Sequence, residues 1–234
     1  MDSFQFLGLT FNTANIISIT IAFAIVFFVV FFLSRRITMK PTGGQNILEW
    51  IIDFTNGIVR GQLPGRDGGQ LGLFAFTAFL FVFFANQLGL FLQVSVNGVD
   101  YVRSPTANPV VTLTMAMVTL ALAHYLGVVK FGFGGYISNS YLKPFAALLP
   151  INLVEEFTNL LTLALRLYGN IFAGETLLKL IGGMAFSHGL PTIIVALPLE
   201  IVWQGFSVFI GAIQAYVFVT LSTVYISRKV TVEE

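Results

Sequence analysis

The chain has no cysteine, and only two histidines and two tryptophans among 234 residues. Without cysteine there is no disulfide, no thiolate metal site and no thiol nucleophile. Charge is scarce too: 10% of residues are Asp, Glu, Lys or Arg, and the formal net charge is +1. That balance implies no nucleic-acid partner. No G-x-x-x-x-G-K-[ST] run occurs, so the chain does not bind ATP through a phosphate loop. No three His or carboxylates recur at metal-ligand spacing, and no cofactor is called for. There is no internal repeat and no matched pair of broken helices of the kind secondary transporters use.

What remains is apolar. Hydrophobic residues make up 56% of the chain and aromatics 15%, including 25 Phe, and the mean hydropathy is +0.85. No soluble domain of this size has that composition. The expected fold is an all-α polytopic membrane protein, because lipid-exposed backbone must satisfy its own hydrogen bonds. Residues 1–234 read as a single membrane domain. Its parts are a first span and an amphipathic helix (1–70), middle spans (71–149) and a long helix pair (150–234).

About five transmembrane helices are expected. Segment one covers about Asn12–Leu33 and Ser34-Arg35-Arg36 closes it. It is too long for a signal h-region, with no small-residue cleavage site after it, and so reads as a retained span. Gly43–Arg60 mixes Trp50, Glu49, Asp53 and Arg60 with apolar residues and reads as an interfacial amphipathic helix. Gly61–Gly69 reads as a loop. Segment two is Leu71–Leu92, Val94–Asn108 a polar connection, segment three about Pro109–Val129, and Lys130–Lys143 a glycine-containing loop. Segments four (about Pro150–Phe186) and five (about Pro191–Ser227) would each be ~55 Å long if straight, against a hydrocarbon core of ~30 Å. They must be strongly tilted, bent or partly outside the membrane. With the N-terminus outside, Arg35, Arg36, Lys40, Arg60, Arg66, Lys130, Lys143, Arg228 and Lys229 share one side, and Arg103 alone takes the other. The positive-inside rule then puts the C-terminus in the cytoplasm.

Arg166 sits within segment four, and a guanidinium cannot escape lipid by losing its proton. Its insertion costs roughly 2.5–3.5 kcal/mol. At 100° per residue, Glu155, Asn159 and Asn170 fall within about 40° of Arg166. Glu175 lies on the opposite face, ~13.5 Å further along. Segment five carries a seam of Glu200, Gln204, Ser207, Gly211 and Gln214 at helical spacing. If this seam faces segment four, Gln214 neighbours Arg166, and Glu200 lies in a cavity near Glu175. Blander alternatives stand beside each of these. Arg166 could pair with Glu155 or Glu156. Glu175 and Glu200 could be solvated among headgroups, and Gln204, Ser207 and Gln214 could be packing glue. Lys179, Glu155 and Glu156 fit a membrane boundary. His124 and His188 read as bystanders, and Asn86 and Gln87 as interhelical hydrogen-bonding groups.

Leu163–Glu175 reads LALRLYGNIFAGE. Phe84–Leu90 reads FANQLGL, Ser104–Pro109 SPTANP, and Ile213–Tyr225 IQAYVFVTLSTVY. Together these runs resemble subunit a of F-type ATP synthases over nearly the whole chain. The resemblance implies proton translocation by a stator subunit that is not catalytic alone. It also implies partners: a ring of c-type subunits with membrane-embedded carboxylates, peripheral-stalk b-type subunits, lipid and the translocated H⁺. Arg166 matches the essential arginine, Asn170 and Glu175 the polar positions beside it, and Gln214 the nearby glutamine. Some members have a His where this chain has Ser207, which cannot titrate; Glu200, seven residues earlier, would take over the carboxylate role. The family often has Asp where this chain has Asn108, so that loop is given no part in proton uptake. H⁺ is the default coupling ion, while the ring governs any choice of Na⁺. A bacterial plasma membrane is the expected location, with an organelle-encoded origin the alternative. The rival reading is an ion channel or secondary transporter acting alone.

Overall fold

A computed structural model describes residues 3–6, 9–35, 37–40, 43–63, 65–92, 94–96, 99–142, 146–185 and 190–231. Arg36, Lys143 and His188 lie outside the described residues. Six helices carry the fold: α1 (Thr13–Leu33), α2 (Gly44–Gln62), α3 (Arg66–Phe91), α4 (Pro109–Ile137), α5 (Leu149–Ala185) and α6 (Leu190–Val230). The sequence supplies their starts. Asn12 caps α1, its side chain accepting from the amides of Ala14 and Asn15. Asn108 caps α4 through the amide of Val110, with Pro109 at the first helical position, where its missing N–H is no loss. Gly65 takes φ +98°, which a side chain would resist, and lets the chain turn sharply into α3.

Among the described residues four helices are long and apolar enough to cross a membrane: Thr13–Leu33, Gly68–Phe91, Pro109–Leu142 and Thr192–Val230. Of the expected five spans, α5 is the one that does not meet that standard. Its 37 residues include Glu155, Glu156, Arg166, Glu175 and Lys179. At 1.5 Å per residue α5 and the 41-residue α6 are ~55 and ~60 Å long, about twice the hydrocarbon core.

The expected Gly61–Gly69 loop is much shorter, because α2 runs on through Gln62 and α3 already starts at Arg66. Two further features depart from the sequence reading. Two antiparallel hairpins occur, β1 (Ser3–Phe6) with β2 (Leu9–Asn12) and β3 (Val94–Val96) with β4 (Val99–Val102). Asn97-Gly98, between the runs VSV and VDYV, was a legible hairpin signal. Secondly, α4 continues through much of the expected 130–143 loop. It kinks at Gly132, whose φ is +72°. Beyond the kink the chain folds back so that the Tyr136 ring lies against Gly127, where a Cβ would come within 2.7 Å of it.

The helix α6 is the hub and touches α2, α3, α4 and α5. One core cluster joins Val82 of α3, Ala116 and Leu120 of α4, Leu163 and Leu167 of α5, and Phe218 of α6. Another joins Val59 of α2, Leu71 and Ala75 of α3, Ala123 of α4, and Val219 and Ile226 of α6. Alanines at the crossings bring the backbones close, as small residues do between membrane helices.

Candidate functional site

Residue spacing decides what α5 shows to whom. Leu163, Leu167, Ile171 and Glu175, four residues apart, form its buried stripe. Arg166 and Asn170 are turned outward and exposed. Among the described residues the Arg166 guanidinium has neither an ion pair nor a hydrogen bond. Glu155 pairs instead with Arg228 at 2.7 Å, and Glu156 with Lys229 at 2.7 Å. Both carboxylates offered as structural partners for Arg166 are thus held by Arg228 and Lys229.

Gln214 reaches α5, but one turn from the arginine. The Asn170 amide donates to Gln214 Oε1 at 2.8 Å. The rest of the α6 seam faces α3 as well as α5. Gln204 donates to the Leu90 carbonyl at 3.0 Å, Asn86 to the Gly211 carbonyl at 2.9 Å and Gln87 to the Val208 carbonyl at 3.0 Å. The interhelical bonds expected of Asn86 and Gln87 are thus present. Ser207 lies beside Gly174 of α5. Its hydroxyl is buried without a protein partner, and it lines a cavity of about 240 Å³ with Asn86, Asn170, Gly174, Trp203 and Phe206. Such a cavity has room for water. Glu200 is half-buried, and no hydrogen bond or ion pair joins it to Glu175 among the described residues.

Glu175 is 6% exposed and lies within electrostatic reach of Lys179 and Arg103. Its Oε1 accepts from the Ser104 amide at 2.9 Å. The Ser104 hydroxyl donates to the Asn86 carbonyl and accepts from the Gly89 amide, both at 3.1 Å. Thr106 donates to Asn86 Oδ1 at 2.8 Å. The SPTANP run therefore places Ser104 and Thr106 between α3 and α5, and Asn108 at a helix cap.

At the other end of α5 the structure assembles a group that sequence reasoning missed. His124 Nε2 lies 3.3 Å from Glu156, and His124 Nδ1 hydrogen-bonds the Tyr136 hydroxyl. The Lys229 ammonium sits 4.7 Å above the Tyr141 ring. His124 is thus no bystander. Its two partners, Tyr136 beyond the Gly132 kink of its own helix and Glu156 of α5, are not neighbours that regular helical periodicity would join. A polar pocket of about 140 Å³ here is lined by Asn152, Glu156, Asn159, Tyr225 and Lys229, among others.

A family model described as the ATP synthase A chain matches residues 16–227. The chain belongs to this ATP synthase A chain family. It is 63% identical to ATP synthase subunit a of Limosilactobacillus fermentum, over 99% of this chain and 98% of that one. Subunit a of Pediococcus pentosaceus is 60% identical over 98% and 97% of the two chains. That of Priestia megaterium is 44% identical over 97% and 95%. As an ATP synthase A chain it is a multi-pass, non-catalytic stator subunit through which protons are translocated. Membership removes the reading of a channel or transporter acting alone.

Proposed function

We propose that the outward face of α5 around Arg166 meets a ring of c-type subunits, each carrying a membrane carboxylate, and that two proton paths open on either side of the arginine. The observation that carries this reading is the bare guanidinium on an exposed helix face, with Glu155 and Glu156 engaged elsewhere. A cation kept within a membrane helix without a partner among the described residues calls for one from outside.

The chemistry follows. A ring carboxylate facing lipid stays protonated, because an unpaired anion there is too costly. Opposite Arg166 its ionised form is favoured. It releases its proton into one path, passes the arginine and is reprotonated from the other. A permanently charged guanidinium does not relay protons, so it blocks direct passage between the paths. Glu175, Glu200 and the Ser207 cavity line the outer path, and Asn170 with Gln214 flanks the arginine. The pocket at Glu156 and Asn159 opens the inner path. Each charge moved contributes ~2.3 kcal/mol per 100 mV, so several protons combine for each ATP. The bias of Lys and Arg supports an outer N-terminus and a cytoplasmic C-terminus in a bacterial plasma membrane. Peripheral-stalk b-type subunits hold the stator against the turning ring.

The absence of cysteine makes a direct test available. Ala173 is exposed on α5, seven residues beyond Arg166. A photocrosslinker attached to Ala173→Cys in the assembled complex is expected to label the small ring subunit. Labelling of lipid alone, or of a stalk subunit, would contradict the proposed face.

A further inference from the structure

We infer that Gly89 and Ser104 together form a positioning site for Glu175, in which a bare stretch of α3 and a loop amide hold its carboxylate in place. The inference rests on the reading above that Glu175 lies on the proton path.

Gly89 sits inside α3, where alanine is the better helix former. A Cβ built there would fall 1.9 Å from Glu175 Oε1, 2.4 Å from Ser104 Oγ and 2.5 Å from Ser104 N. The space a side chain would occupy is thus taken by the carboxylate and by the loop that binds it. The close approach uses the backbone on both sides. Gly89 donates its amide to the Ser104 hydroxyl, and Ser104 donates its own amide to Glu175. Removing either component leaves the carboxylate with a different neighbour.

The loop is anchored away from the site as well. The Arg103 amide donates to Ser18 Oγ at 3.2 Å, and its guanidinium donates twice to Asn15 Oδ1, at 3.1 and 2.8 Å. Thr106 and Ser104 both bond Asn86, which in turn bonds Gly211 of α6. Residues 103–107 are therefore fixed to α1, α3 and, through Asn86, α6. Glu175 from α5 meets a seat already built by the other helices. Neither Gly89 nor Ser104 exchanges protons in this account; each acts through Glu175.

The test is passive proton flux through the assembled complex in inverted vesicles, with assembly checked by copurification. Gly89→Ala is expected to lower flux about tenfold, since small displacements of a proton-transferring group are costly. Ser104→Ala, which loosens the loop but keeps its amide, is expected to lower it about threefold. The decisive comparison uses Glu175→Asp, whose shorter side chain no longer reaches the seat. In that background Ser104→Ala should cause no further loss, because residues acting through one group are not additive. Damage to packing alone would lower flux in both backgrounds, and that result overturns the inference. Wild-type flux in Gly89→Ala, or in Ser104→Ala, overturns it also. If Gly89→Ala does not assemble, the Ser104→Ala pair decides. Wild-type flux in Glu175→Gln would instead sink the proton-path role of Glu175 itself, and this inference with it.

Discussion

The two ends of α5 treat their carboxylates in opposite ways. Near one end Glu156 lies between Lys229 and His124, and Glu155 bonds Arg228. Toward the other, Glu175 accepts from a backbone amide and has no ion pair among the described residues. In the first case the charge is part of the structure, and neutralising it would leave a cation stranded. In the second, gain or loss of a proton breaks no ion pair, which suits a group that exchanges protons. Between them Arg166 has neither arrangement and points out of the bundle. The same helix thus carries a compensated charge, an exchangeable one and one left for another chain.

Substitutions at the two ends should therefore fail differently. The largest effect on stability is expected at Glu156. Glu156→Ala leaves Lys229, only 13% exposed, without its carboxylate. The thermal midpoint of the purified complex should fall by an amount that reflects about 3 kcal/mol, the low end for a pair that is not fully buried. An unchanged midpoint would mean that the Glu156 end is not a structural joint. Glu175→Gln comes next and should act on flux alone. Its amide keeps the shape and an acceptor for Ser104, so the midpoint should hold. Passive proton flux should drop about tenfold, or ~1.4 kcal/mol of barrier. A fall in midpoint without a loss of flux would erase the distinction between the ends. Glu155→Gln is expected to do least. Its pair with Arg228 is about half exposed on both sides, and such pairs contribute about 1 kcal/mol at most. A midpoint within a degree of wild type is the expected result.

Much of this comparison was legible in the sequence, because helical periodicity is local. The half-turn offset between Arg166 and Glu175 follows from nine residues at 100° each, and one residue is exposed while the other is buried. The α6 seam was legible for the same reason, although periodicity could not say that it faces α3 as well as α5. What was not legible are contacts between distant stretches. Ser104 and Glu175 are 71 residues apart, and His124 meets Glu156 only because α4 packs along α5. The kinked continuation of α4 was hidden because Gly132, Gly134 and Gly135 read as a break. The packing of Tyr136 onto Gly127 overrides that local preference.

The central claim is that an arginine unpaired among the described residues couples proton flow to the motion of a partner. Its most direct test is ATP-driven acidification of inverted vesicles, wild type against Arg166→Ala, with the complex shown intact by copurification. The account predicts that pumping is lost while the complex still assembles. Retained pumping by Arg166→Ala would make the arginine a dispensable charge and would contradict the account.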